Sequence, residues 1–349
     1  MNNKKQHWIK LIKWIVLILL LLIVVFLSLS VGRYAIATWQ VTKILCNALL
    51  PHAMHNITID WSNTAQNVVL NSRLPRILIA GLTGAGLSIA GAALQGVFRN
   101  PLVGPQIIGV ASGAAFGGVL AILLFSSMII TVTWAFIGGI IAILLVFFLA
   151  FQKQTGQGLL ILILAGVVVN AFFAALISLI TYFADPNNTL PTIVFWLMGS
   201  FSTASYTKLW IVLPTVMIGS SIIIGYRFRI NALSLGEEQT QALGLSTTQT
   251  RWIILSSVTL ITSATVAISG TIGWVGLIIP HIARFILGHD HRILLPSSAL
   301  IGAIYMISVD TIARSASSAE IPLGIITALV GAPIFAVLLR SFNRRANLS

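Results

Sequence analysis

Seven acidic residues are all that 349 residues offer for proton or cation chemistry: Asp60, Asp185, Glu237, Glu238, Asp290, Asp310 and Glu320. Only Asp310 falls near the interior of a long apolar run, and Arg314 follows it at i, i+4, the spacing of an ion pair on one helix face. Carriers driven by protons or sodium keep ionisable groups inside the membrane to bind the coupling ion. That supply is missing here, as is any paired histidine or nucleophile–base set for catalysis. His52 and His55 stand at i, i+3 without a nearby carboxylate or third ligand, so they read as solvated loop histidines rather than a metal site. Cys46 is the single cysteine, which excludes an intrachain disulfide and a cysteine-based metal cluster. No Gly-x-x-x-x-Gly-Lys-Ser/Thr loop is present to cradle a nucleotide. The run Gly81-Leu-Thr-Gly84-Ala-Gly86 has the look of a dinucleotide fingerprint, but it sits in an apolar stretch with no strand before it. Together with Ala80, Ala85, Ala90 and Gly91 it suits close approach of neighbouring helices. A transporter built from these residues takes its energy from elsewhere.

The elements that position these residues are membrane helices. The composition is 57% hydrophobic and 8% charged, against about 25% charged for a soluble domain. The mean hydropathy is +1.00. A chain this apolar cannot cover its own surface with polar groups, so lipid is its solvent. The pattern predicts an all-α, polytopic membrane protein with ten spans, at about 12–32, 75–96, 106–125, 130–151, 158–183, 207–226, 252–270, 274–288, 295–313 and 322–341. A short extra helix over 191–205 need not cross. The first apolar run is longer than a signal-peptide core and lacks an Ala-x-Ala site, so it reads as an uncleaved span. Residues 1–349 read as one transmembrane domain.

The net charge of +13 comes from basic residues between the apolar runs and at the termini, with no basic stripe for nucleic acid. With the N-terminus in the cytoplasm, 14 of the 20 Lys and Arg residues fall inside and 6 outside, the bias expected of membrane orientation. Both termini are then cytoplasmic. The loop over 33–74 is external, and the loop over 227–251 is cytoplasmic. In the cytoplasmic loop, 235–243 suits a short helix, Gly244 a left-handed stop, and Ser246 the cap of a second short helix. Two short helices hinged at a glycine make a knob that fits a groove on a soluble partner. Taken by itself, the loop also reads as a solvated connector.

A longer series of segments resembles one family. They are Arg73-Leu-Pro-Arg76, Gly84-Ala-Gly-Leu-Ser-Ile-Ala-Gly91 with Gln95, Arg99-Asn-Pro-Leu-Val-Gly-Pro105, Gly109-Val-Ala-Ser-Gly-Ala114, Trp196-Leu-Met-Gly199 and Ala242-Leu-Gly244. Gly273-Trp-Val-Gly-Leu-Ile-Ile-Pro-His-Ile-Ala-Arg284, Asp290-His-Arg292-x-Leu-Leu-Pro296, Asp310-x-x-Ala-Arg314, Glu320-Ile-Pro-Leu-Gly324 and Gly331-Ala-Pro333 complete the series. In order and spacing they resemble the FecCD/BtuC-like permeases of binding-protein-dependent ABC importers for iron–siderophore complexes, haem and cobalamin. The first 72 residues match only in character, and Trp274 stands where many members have Phe.

The resemblance implies ten spans, a second permease copy or homologue, two ATPase subunits and an extracytoplasmic substrate-binding protein. It also implies a bacterial or archaeal cytoplasmic membrane, with ATP and Mg held by the ATPase and no cofactor in this chain. It implies docking of the binding protein at Arg73, Arg76 and Arg314, where guanidinium forks suit carboxylates. Coupling to the ATPase falls on 235–250, centred on Ala242, Leu243, Gly244 and Leu245, with Glu237 and Glu238 adding contacts. A cytoplasmic gate falls on Asn100 and Leu102, where Leu closes by dewetting; a plain Asn-Pro turn is the other reading. His281 is structural, and Pro280 and Pro333 are kinks or helix starts. The expected cargo is an iron(III)–siderophore, with haem, cobalamin or molybdate as alternatives. A secondary carrier or channel acting alone is the competing class.

Overall fold

In lipid, a backbone can satisfy its polar groups only within helices or closed barrels, and this chain uses helices. The computed structural model describes residues 2–49, 60–125, 127–150, 158–317 and 319–346, and among them no strand occurs. The helices are α1 (Asn2–Ser30), α2 (Thr38–Leu49), α3 (Asn63–Asn67), α4 (Leu74–Phe98), α5 (Val110–Leu124), α6 (Met128–Ala150), α7 (Gly158–Phe183) and α8 (Thr189–Leu197). They continue with α9 (Tyr206–Gly225), α10 (Arg227–Leu235), α11 (Glu237–Ala242), α12 (Thr247–Ser269), α13 (Val275–Leu287), α14 (His291–Ser315) and α15 (Leu323–Ala346).

Each expected span lies on a helix. Seven helical stretches are long and apolar enough to cross a membrane, and three shorter apolar helices, Val110–Leu124, Val275–Leu287 and Leu323–Val337, match the rest. The second span begins earlier than its hydropathy suggests, because a π-turn over Val68–Arg73 joins α3 to α4 as one rod from Asn63 to Phe98. Part of the expected external loop over 33–74 is therefore helical, in α2, α3 and that turn. His52 and His55 lie outside the described residues. Pro280 and Pro333 sit inside α13 and α15 rather than at their starts.

Two columns form the centre. In their most apolar stretches, 78% of the rod ending in α4 and 78% of α12 is buried, against 11% of α1, which faces outward along most of its length. Helix α4 packs against α14, α13, α9 and α12, and α5 packs against α6 and α7. Helices have no hydrophobic drive to associate within lipid, so contact depends on small residues that let backbones meet. At the α4–α14 crossing, a Cβ on Gly84 would overlap the carbonyl of Gly302. At the α4–α13 crossing, a Cβ on Gly91 would overlap the carbonyl of Gly276. The small-residue run in the second span is thus a packing seam.

The helices around this centre are interrupted, and the interruptions meet. Helix α8 ends at Gly199 (φ +78°), α12 ends at Gly270 (φ +69°), and α15 starts at Leu323. Ser200 N donates to Ser269 O at 2.8 Å, Leu323 N to Gly199 O at 2.9 Å, and Gly324 N to Met198 O at 2.9 Å. Thr271 Oγ1 donates to Leu197 O. The unpaired groups of three helix ends therefore satisfy one another, as irregular backbone inside a membrane protein requires.

Replacing Gly84 with Ala forces the α4 and α14 backbones apart. We expect Gly84→Ala to cost about 1–3 kcal/mol and to lower the thermal midpoint in detergent. The control is Gly81→Ala, where the new Cβ meets Ile307 Cδ1 at an ordinary 3.4 Å. Equal midpoints for the two variants would contradict the seam.

Candidate functional site

Three clusters hold the residues expected to act. At one end of the rods, Arg76 in the first turn of α4 faces Asp310 on α14. Its Nε lies 3.0 Å from both Asp310 oxygens, and its Nη2 lies 2.8 Å from Oδ1. The same guanidinium reaches Glu320 at 2.9 and 3.1 Å. Asp310 is fully buried, and a bidentate fork is the pairing that best offsets its desolvation. Arg314 Nε, the expected i, i+4 partner, is 3.8 Å from Asp310. The expected pair is thus secondary to an inter-helix pair.

Arg314 is turned toward the end of α1. It donates to Val31 O at 2.7 Å, to Ser28 Oγ at 3.0 Å and to Ser28 O. Arg73 donates to Leu29 O at 2.6 Å, Ser30 O at 3.0 Å and Tyr34 O at 2.5 Å. The last carbonyls of a helix have no partner within it, and two arginines supply them here. All three expected docking residues are buried, and each has internal partners. Gly32 lies under both guanidiniums, where a Cβ would fall 2.6 Å from Arg73 Nη2.

At the opposite end lies the loop between α9 and α12. The expected short helix over 235–243 is present as α11, Glu237–Ala242, set off from α10 by Gly236 (φ +134°). Gly244 does adopt a left-handed conformation (φ +72°) and ends α11. Ser246 accepts from Gln249 N at 3.3 Å, but it caps the long α12 rather than a second short helix. The hinge of the knob is therefore Gly236, and Gly244 is its tip. Glu238, Ala242, Leu243 and Gly244 are exposed, and Leu245 is half-buried. Glu237 is held by Arg251 Nη1 at 3.1 Å and Thr247 Oγ1 at 3.3 Å. The Arg251 hydrogen bond keeps its carboxyl below the ordinary carboxylate range.

The turn after α4 sits beside this loop, and the charge of Arg99 acts on Glu237. Arg99 takes the left-handed conformation (φ 50°). Asn100 Oδ1 accepts from Leu102 N at 2.9 Å, an Asx-turn that presents Leu102 outward, 39% exposed. His281 Nε2 donates to Pro101 O at 2.8 Å and so ties α13 to the turn.

Sequence reasoning passed over a third cluster. Helix α5 is preceded by a 3₁₀ turn, Pro105–Ile108, in which Gln106 O receives only a long 3.4 Å backbone bond from Gly109 N. Asn170 on α7 donates to Gln106 O at 2.9 Å and accepts from Ser112 Oγ at 2.7 Å. These residues, with Ser178 and Thr271, line an open hollow of about 810 Å³. A smaller, partly open cavity of about 150 Å³ shares Gln106, Ala111 and Thr271 with it and adds Thr262, Thr265 and Trp274. Trp274 has a left-handed φ of +71°, a strain that for a non-glycine residue costs about 1–3 kcal/mol. The one sequence signal for this wall was an amide, Asn170, in a predominantly apolar 26-residue helix. Among the described residues, no group of three or more His, Cys, Asp or Glu could hold a metal ion.

Comparison with known proteins gives one consistent picture. The FecCD transport family matches residues 20–341. The chain is 44% identical over 328 residues to the molybdate import system permease MolB of Haemophilus influenzae, covering 94% of this chain and 95% of that protein. It is 42% identical over 284 residues to the cobalamin import system permease BtuC of Halobacterium salinarum, covering 81% of this chain and 76% of the relative. A solved inward-facing ABC transporter of proposed metal-chelate type superposes with a TM-score of 0.82 at 44% identity, covering 93% of this chain and 97% of that one.

Removing the charge of Asp310 leaves Arg76 underpaired among buried groups. Asp310→Asn is expected to cost about 3–5 kcal/mol, whereas replacing the pair together, Arg76→Met with Asp310→Leu, recovers most of it. Thermal unfolding in detergent checks both. A single variant as stable as wild type would show that the pair carries no weight.

Proposed function

Because the chain belongs to the FecCD transport family and is a multi-pass permease of the ABC-importer kind, we propose that it moves a molybdate-type oxyanion inward by alternating access, driven by a separate ATPase. Ten crossings place both termini in the cytoplasm of a bacterial or archaeal cell, with the chain in its cytoplasmic membrane. A second copy or homologue completes the path, two ATPase subunits bind inside, and a substrate-binding protein docks outside. The observation that carries the energy source is the state of Asp310. The one buried acid among the described residues is bound by Arg76 and cannot serve as a coupling-ion site. That argues against the secondary carrier.

The oxyanion reading rests on the 44% identity to a molybdate permease over nearly both full lengths. The hollow beside α7 carries no charged side chain, and Ser112, Asn170, Ser178 and Thr271 give their side-chain protons to internal acceptors, so it bears on the path and not on the cargo. An iron(III)–siderophore is the second reading, favoured by the metal-chelate description of the structure that superposes so closely.

The coupling knob is the α10–α11 hinge, with Leu235, Leu243 and the Gly244 tip exposed toward the ATPase. The Leu102 turn is the cytoplasmic gate, tied to α13 through His281. Docking of the binding protein falls on Arg73, Arg76 and Arg314, where incoming carboxylates exchange with the carbonyls at the end of α1 for Arg73 and Arg314, and with Asp310 and Glu320 for Arg76.

Two tests use the transporter reconstituted with its ATPase and binding protein. Gly244→Pro is expected to leave assembly intact and to reduce binding-protein-stimulated ATPase and uptake at least tenfold; unaltered uptake would remove the loop from the coupling path. Changing Arg73, Arg76 and Arg314 singly to Lys keeps charge and loses the fork. Docking predicts weaker stimulation by the binding protein. A fall in thermal midpoint with full stimulation of the folded fraction would instead reduce Arg73 and Arg314 to caps of α1 and Arg76 to the partner of Asp310.

A further inference from the structure

One cation stands apart from the paired charges described above. Lys208, three residues into α9, is 4% exposed. Its Nζ donates to Thr203 Oγ1 at 2.5 Å, and among the described residues no carboxylate lies within ion-pair distance of it. Its backbone N donates to the cap residue Ser205 at 3.3 Å, which places the ammonium in the first turn of a 20-residue helix. That end of a helix carries partial positive charge and favours anions. The charge is thus buried, uncompensated and on the unfavourable pole of a dipole, and each of these circumstances alone destabilises it.

What lies beyond Lys208 explains such a placement. Thr203 lines a recess of about 420 Å³ between α8, the α8–α9 link and the end of α12, together with Thr192, Trp196, Ser200, Ser202 and Ser269. Thr203 Oγ1 accepts from Lys208, so its own proton remains for another acceptor. Ser200 Oγ accepts from Ser202 N at 3.0 Å, which likewise leaves its proton to give. Ser202 is exposed. Thr192 and Ser269 donate to helix carbonyls and contribute only their shape. The recess therefore presents donors backed by a buried positive charge, with no acidic group among the residues that line it.

We propose that this recess is an anion subsite for a tetrahedral oxyanion, with Thr203, Ser200 and Ser202 as donors and Lys208 as the counter-charge behind Thr203. It rests on the oxyanion reading above and makes it specific. Under the proposed topology it opens on the external side, where cargo released by the binding protein first meets this chain. The bound anion supplies the charge that Lys208 lacks and accepts the free hydroxyl protons.

The test is calorimetric titration of molybdate and, separately, sulfate into the purified permease–ATPase complex at fixed ionic strength, beside molybdate and iron–chelate uptake in proteoliposomes. Lys208→Met and Thr203→Val are expected to weaken molybdate binding at least tenfold, and Lys208→Arg to keep it within about threefold. Lys208→Met is also expected to raise the thermal midpoint, because it removes an uncompensated buried charge, so lost binding is not lost folding. Undiminished molybdate binding in Lys208→Met, or no anion bound by wild type, overturns the subsite. Wild-type uptake of an iron chelate and not molybdate overturns the cargo reading alone. The subsite then stands or falls on whether Lys208→Met abolishes sulfate binding.

Discussion

A backbone group left without a hydrogen bond inside a bilayer costs several kcal/mol, and the architecture of this protein follows from how it meets that constraint where its helices stop. Four interruptions lie between or beside spans: after α8, between α12 and α13, before α15, and at the 3₁₀ turn before α5. Three of them pair with each other through Ser200–Ser269, Leu323–Gly199 and Gly324–Met198. The fourth is closed by the side chain of Asn170. The hollows of the structure collect around these points, since irregular backbone persists at such depth only where protein or a polar cavity surrounds it. The hollows and the breaks in the helices are consequences of one requirement.

Charge obeys the same logic. Asp310 is buried because Arg76 and, at longer range, Arg314 surround it. Arg73 and Arg314 are buried because the end of α1 lacks partners for its carbonyls. Helix α1 buries little of its apolar stretch, so it is attached through its polar end more than through packing. A binding protein that drew on those guanidiniums would act on the attachment of α1 as well as on the α4–α14 pair. Docking and helix anchoring would then share atoms, and an outside contact would reach the central α4–α14 pair.

Much of this was legible in the chain. The place of each span follows from apolar run length, the seam from Gly84 and Gly91, and the stop at Gly244 from a glycine after a short helical pattern. Partners distant in sequence were not legible. Spacing pointed Asp310 at Arg314, four residues away, because periodicity reports neighbours on one helix only; Arg76 lies 234 positions earlier. Ser246 has the same capping chemistry whichever helix follows it, so the residue type could not say that the helix was α12. Asn170 and Lys208 each carried a local oddity, an amide in an apolar helix and a cation at a helix start. Their meaning depended on the turn and the recess that other segments bring to them.

The account makes this chain a path whose motion is powered from outside it. The most direct test is uptake of molybdate into proteoliposomes holding the permease, its ATPase and its binding protein, with proton and sodium gradients collapsed. Uptake that requires ATP and is indifferent to the gradients is the predicted result. Uptake by the permease alone, driven by an ion gradient without ATP, would contradict it.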